Sequence, residues 1–222
     1  VQQVRSIISG DTAQAFITTD LDDNQITAFH PGAMMRSYEN HVRDVQDVAF
    51  GIVGPDSYEA MLQNCREFSE AGIPFIFDPG QAMPLFNGEE LKQMIESATY
   101  VTVNDYESLL MSDKTGLSVT EIRDQVQAYI ITRGDKGSEI HTPQGVISIP
   151  AAAPIRVVDP TGCGDAYRAG LLHGIARGLS WGDTGRLASL LGALKIAHKG
   201  TQNHTFTPAS LAREFHAAFG HD

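Results

Sequence analysis

The chain has 222 residues, 42% of them hydrophobic, with 27 acidic against 16 basic side chains and a formal net charge of -11. That length and composition can bury a real core in one large domain, and no run is long and apolar enough to span a bilayer. The acidic balance argues against nucleic acid, whose binding faces are basic, and Cys65 and Cys163 alone make neither a disulfide framework nor a zinc site, which favours a reducing cytoplasm.

In chain order, Ala13–Thr19 and Gln25–His30 read as a β-hairpin around Asp20-Leu21-Asp22-Asp23-Asn24, followed by Pro31-Gly32-Ala33. Asp47–Val53 and Pro74–Phe77 read as buried strands. Between them Ser57–Glu70 carries Ala60, Met61, Cys65 and Phe68 at helical spacing, and Gly72 and Pro74 end that helix. Asp78-Pro79-Gly80 then falls at a strand's carboxyl end, where open α/β sheets place ligands. Asp78 faces phosphate or metal there, or only forms an Asx turn before Pro79; both stay open. Met83, Leu85 and Phe86 read as core. Strand-helix alternation predicts a largely parallel sheet covered by helices.

Further along, Tyr100-Val101-Thr102-Val103 is a short strand ending in Asn104-Asp105-Tyr106-Glu107. If residues 105–111 open a helix, Asn104 is its N-cap and Glu107 its capping-box partner. Residues 128–140 read as two apolar strands joined by a Gly-x-x-Gly turn, in which Arg133 and Lys136 face a polyphosphate or simply solvent. Ile155-Arg156-Val157-Val158 reads as a β-branched strand running into Asp159-Pro160-Thr161-Gly162-Cys163-Gly164-Asp165 and an amphipathic helix. The glycines let backbone N–H groups converge at the new helix's N-terminus, where the dipole favours anions. A carboxylate at that mouth, Asp165, can take a proton from a hydroxyl whose oxygen attacks phosphorus, or can act only as an N-cap. Thr184–His198 is a second amphipathic helix expected to pack beside Asp165–Gly178. It leads into the Gly-containing loop of Lys199-Gly200-Thr201-Gln202-Asn203, which could also be an ordinary helix C-cap. None of the eight histidines forms a His-x-x-x-His metal pair with a nearby carboxylate, and His198 and His204 read as surface or structural groups.

The residues 159–165 resemble the second signature of the ribokinase-like (PfkB) family of carbohydrate and nucleoside kinases, usually Asp-Thr-x-Gly-Ala-Gly-Asp. Pro160 and Cys163 depart from that pattern. The resemblance implies Asp165 as general base and the amides of Gly162, Cys163 and Gly164 as the anion hole for the transferring phosphoryl group. Asn104 and Glu107 are similar to the family's Asn-x-x-Glu motif, which implies Asn104 near the nucleotide phosphates and Glu107 organising Mg²⁺ through water. By the same resemblance Thr132, Gly134 and Gly137 border ATP, and Ala193, Ala197 and Gly200 wall the adenine. Asp159 then joins the loop around a K⁺ ion.

The implied fold is a three-layer α/β/α ribokinase-like fold with a mostly parallel central sheet and a small β lid. Residues 1–30 are expected to belong to the lid and residues 31–222 to the nucleotide-binding and catalytic core. The hairpin and Pro31-Gly32-Ala33 are similar to the bacterial adenosine kinase-like branch. The family's chains begin with strands and a Gly-Gly motif that contact the acceptor sugar; no such stretch precedes Val1, so a partial copy of a longer protein is expected. The implied activity is ATP- and Mg²⁺-dependent phosphorylation of a primary hydroxyl of an adenosine- or ribose-type acceptor in the cytoplasm, with no membrane partner and with homodimers forming through the lid. The rivals are a non-catalytic nucleotide- or sugar-binding homologue and a hydroxymethyl-heterocycle kinase on the same fold.

Overall fold

The computed structural model describes residues 6–7, 10–19 and 25–220. The Asp20–Asn24 turn lies outside them. The strands β1 (Gln14–Thr19) and β2 (Gln25–His30) pair antiparallel as a separate two-stranded sheet, with Gln14 opposite His30. A second sheet holds β3 (Gly51–Val53), β4 (Phe75–Phe77), β5 (Tyr100–Asn104), β6 (Ala128–Thr132), β7 (Ser138–Thr142) and β8 (Gly145–Ile149), in that order. It is parallel from β3 through β5 and antiparallel at β6-β7-β8. The described residues also form the α-helices α1 (Tyr58–Glu70), α2 (Gly88–Ser97), α3 (Asp105–Thr115), α4 (Val119–Arg123), α5 (Cys163–Ala176), α6 (Trp181–Ile196) and α7 (Pro208–Phe219).

The chain divides into two compact units, residues 1–101 with 110–118 and residues 102–109 with 119–222. In the first, Ser57 caps α1 by accepting the Ala60 N–H, and α1 buries Ala60, Met61 and Cys65. Asn87 and Glu90 close a capping box on α2. The strands β3 and β4 are short apolar runs, and β4 (Phe75, Ile76 and Phe77) is wholly buried. The expected strand from Asp47 is shorter than its apolar pattern: Asp47 takes a positive φ of 57°, which breaks an extended chain, and pairing begins only at Gly51. Leu85 leaves the predicted core group and is exposed, while Met83 and Phe86 are buried. Asp78 is buried, and its N–H donates to the Val53 carbonyl.

In the second unit, α5 and α6 lie against each other along small residues. A Cβ added at Gly170 would collide with the Ala188 backbone, and one at Gly174 would come within 2.5 Å of Thr184 Oγ1. Glycines one helical turn apart thus let the two helix axes approach more closely than larger side chains would allow. Ile155–Val158 forms no strand: Ile155, Val157 and Val158 are exposed, and the Val158 and Asp159 N–H groups both donate to the Ile196 carbonyl at the end of α6. The β-branched pattern there marks an extended segment held by a helix end.

The contact at Gly170 gives the fold its sharpest test. Ala is the better helix former by about 1 kcal/mol, yet overpacking against the Ala188 backbone costs roughly 1–3 kcal/mol. Gly170→Ala should therefore lower the urea midpoint of unfolding. An equal or higher midpoint would show that α5 and α6 separate freely.

Candidate active site

At the start of α5 the chain turns through Gly162, which sits in the left-handed region at φ 86° as the N-cap. Only glycine adopts this without strain, and here a Cβ would also press within 3.3 Å of Thr201. The turn leaves the first α5 amides pointing out of the helix, the usual donors for an anion. Among the described residues no acceptor is recorded for the Gly162 and Gly164 amides, whereas the Cys163 N–H already donates to the Pro160 carbonyl at 3.1 Å. Of the three amides expected from the motif, Cys163 thus has a backbone acceptor and Gly162 and Gly164 have none among the described residues. Asp165, at the third position of α5, is exposed and sits beside these donors. Burial pushes the Cys163 thiol up, so it stays protonated at neutral pH.

The turn is clamped to the loop after α6. Asp159 accepts the Thr161 N–H on one carboxylate oxygen at 2.9 Å and the Gly200 N–H on the other at 2.8 Å. Those two amides hold its carboxyl down to about 2, with Lys195 adding a smaller electrostatic pull. A depressed carboxyl of this kind stabilises the fold above its unfolded value near 4, and that stabilisation is lost as pH falls through about 2. The Asp159 carbonyl meanwhile accepts the Lys195 ammonium at 2.6 Å, and Arg156 Nε donates to the Ala197 carbonyl at 3.0 Å. Residues 156–162 and 195–201 are thereby one structural piece, as the predicted packing of the two helices requires.

Elsewhere in the same unit, Asn104 and Glu107 form a complete capping box at the start of α3. The Glu107 N–H donates to Asn104 Oδ1 at 2.7 Å, and the Asn104 N–H donates to Glu107 Oε2 at 2.8 Å. Among the described residues, Glu107 Oε1 has no hydrogen-bond partner. On β6, Thr132 donates to the Val103 carbonyl, while in the following turn Gly134 is exposed. Gly137, at φ 86°, is buried, and a Cβ there would collide with the Ile149 carbonyl, so its glycine is a packing requirement. Arg133 forms a two-pronged pair with Glu139 at 2.6 and 2.8 Å, and Lys136 is exposed. Of the expected adenine wall, Ala197 is buried and Ala193 half-buried. His198 Nδ1 lies 2.9 Å from the Leu194 carbonyl, and His204 stacks on Phe206.

The motifs are tied together by hydrogen bonds across the sheet. Val103 bonds to Thr132, β6 pairs with β7, and Ser138 of β7 bonds to the buried Tyr167 hydroxyl of α5 at 2.7 Å. Two basic groups escaped the motif reading. Lys195 is fully buried under the signature turn, and the Arg168 guanidinium lies over Gly164, where an added Cβ would meet it. Helical spacing from Gly164 to Arg168 was the available signal for the second; nothing in the pattern of α6 marks the first, because a lysine in an apolar helix face ordinarily snorkels to water.

No group of three or more His, Cys, Asp or Glu side chains able to hold a metal occurs among the described residues. Mg²⁺ takes few protein ligands and keeps waters and phosphate oxygens, so the open Glu107 oxygen fits it. Nor is any described helix long and apolar enough to cross a membrane.

The profile of the pfkB family of carbohydrate kinases matches residues 2–208. A nucleoside kinase of Methanocaldococcus jannaschii is 32% identical over 194 residues, which cover 87% of this chain and 64% of the relative. The chain thus spans just under two thirds of that relative's length. A nucleoside kinase structure from Burkholderia thailandensis, in complex with inosine, is 56% identical with a TM-score of 0.95, covering 96% of this chain and 70% of that one. The same enzyme in its ADP-inosine complex gives a TM-score of 0.93 at 56% identity, over 96% of this chain and 67% of the other. The sheet and flanking helices have the ribokinase-like architecture of these neighbours, and the chain belongs to the pfkB carbohydrate kinase family.

Proposed function

We propose that this protein is a cytoplasmic ATP-dependent kinase that phosphorylates the primary hydroxyl of a nucleoside. The observation that carries this is Asp165, exposed at the third position of α5 beside the open Gly162 and Gly164 amides. The similarity to a nucleoside kinase seen with inosine and with ADP-inosine favours a nucleoside over a free sugar as acceptor. Two free cysteines are in keeping with a reducing compartment.

In this reading Asp165 takes the proton of the acceptor hydroxyl as its oxygen bonds to the γ-phosphorus of ATP. The bond to the ADP oxygen breaks, and ADP leaves with that electron pair. The Gly162 and Gly164 amides and the α5 dipole offset negative charge on the transferring group, and the Arg168 guanidinium adds positive charge beside them. Asn104, Thr132 and Gly134 border the nucleotide, with Ala193 and Gly200 at the far wall. Glu107 would hold Mg²⁺ through water, and the bound ion would offset the charge of the phosphates. K⁺ does not fit at Asp159, whose carboxylate and carbonyl oxygens already accept Thr161, Gly200 and Lys195.

The β1-β2 hairpin, assigned to the lid, exposes Phe16, Ile17, Ile26 and Phe29, with Ile26 at 79%. A ribbon apolar in so many positions, and forming a two-stranded sheet by itself among the described residues, suits pairing with the same ribbon of a second copy.

Three outcomes test this account. Asp165→Asn should lower kcat for adenosine or inosine by about 10²–10⁴-fold while ATP affinity, measured calorimetrically, stays nearly constant; near-normal turnover would remove Asp165 as the base. Glu107→Gln keeps the capping acceptor, since Gln serves in a capping box. It should raise the Mg²⁺ concentration for half-maximal rate several-fold with little change in melting temperature, and an unchanged Mg²⁺ dependence would leave Glu107 only its cap role. Ile26→Asp should convert a dimer to a monomer in light scattering; wild-type protein that is already monomeric rules out the lid dimer.

A further inference from the structure

We infer that the Lys195 ammonium is the fixed cation of the signature turn and makes a bound monovalent metal ion unnecessary there. This goes beyond the kinase assignment and rests on it only for its activity readout. Lys195 is the one buried lysine among the described residues, with no exposed surface. An ammonium taken fully out of water is costly unless its donors are met. Here Nζ donates to two backbone carbonyls, Asp159 at 2.6 Å and His198 at 3.3 Å. These come from the two segments that the Asp159 carboxylate also joins, through Thr161 and Gly200.

A group of converging carbonyl oxygens beside a carboxylate is the kind of coordination that replaces the water around a bare monovalent cation. The ammonium of lysine is likewise compact, singly charged and equipped with several donors. Tethered to α6, it occupies that position on the Asp159 carbonyl, and its charge favours the ionised form of the same residue's carboxylate. The backbone carbonyls on the two sides would otherwise repel each other across the clamp. Lys195 is therefore a positioning residue: it touches no reacting atom, but it sets the Asp159 end of the turn that carries Gly162 and Gly164.

The test compares initial rates and melting curves of the full-length protein in potassium chloride and in tetramethylammonium chloride at equal ionic strength, with Mg·ATP and inosine or adenosine as substrates. Wild-type kcat should agree within about twofold between the two salts, and the melting temperature should be the same in both. Lys195→Met should lose about tenfold or more in kcat in tetramethylammonium chloride and recover part of it in potassium chloride, with KM for the nucleoside little changed. Strong potassium activation of the wild type overturns the inference, and so does a loss in Lys195→Met that potassium does not touch, which would assign Lys195 to packing alone. The wild-type comparison needs no variant and stands even if Lys195→Met does not fold. If the wild type turns over no acceptor, the kinase assignment fails by itself, and the melting curves still decide: a wild-type melting temperature raised specifically by potassium overturns the inference, and equal values support it.

Discussion

The clamp at Asp159 is the constraint on which the candidate site depends. One residue uses its carboxylate to receive amides from both sides, Thr161 within the turn and Gly200 in the loop beyond α6, and its carbonyl to receive the buried Lys195 ammonium. Each bond is ordinary, worth on the order of 1 kcal/mol or somewhat more where a charge takes part. Their effect is geometric. Because the turn cannot swing away from α6, the left-handed Gly162 and the first amides of α5 are held in fixed positions before any ligand arrives. Preorganised donors of this sort avoid reorganisation at the moment of reaction, where electrostatic catalysis gains most.

The rest of the unit serves that geometry. The α5 helix can lie so close to α6 because Gly170 and Gly174 face Ala188 and Thr184, and it is anchored to the sheet by the Tyr167–Ser138 hydrogen bond. The same β7 strand pairs with β6, whose Thr132 reaches the Val103 carbonyl next to the Asn104–Glu107 box. Residues far apart in sequence are thus connected through a short chain of backbone and hydroxyl bonds. The capping box occupies one Glu107 oxygen in closing the helix, which is compatible with the proposed role of the other toward Mg²⁺.

Much of this was legible in the chain. The hairpin, α1, the Asn104–Glu107 box, the β6-β7 hairpin and the pairing of α5 with α6 all follow from local spacing, where the physics is local too. The failures are equally physical. Ile155–Val158 has the composition of a strand but finds no strand edge, so its amides go to Ile196 instead. Leu85 carries an apolar side chain that the turn happens to point outward. The engagement of the Cys163 amide by Pro160 depends on turn torsions, and the burial of Lys195 depends on a partner 36 residues away in sequence. Neither leaves a periodic trace, which is why the cation in the clamp was invisible until the loops were seen together.

The most direct measurement is a crystal structure of the full-length protein with Mg²⁺, a non-hydrolysable ATP analogue and inosine. The account predicts the γ-phosphoryl group within hydrogen-bonding distance of the Gly162 and Gly164 amides, and the primary hydroxyl of the nucleoside on the Asp165 carboxylate. A γ-phosphoryl group bound away from the start of α5, or a nucleoside hydroxyl out of reach of Asp165, would contradict it.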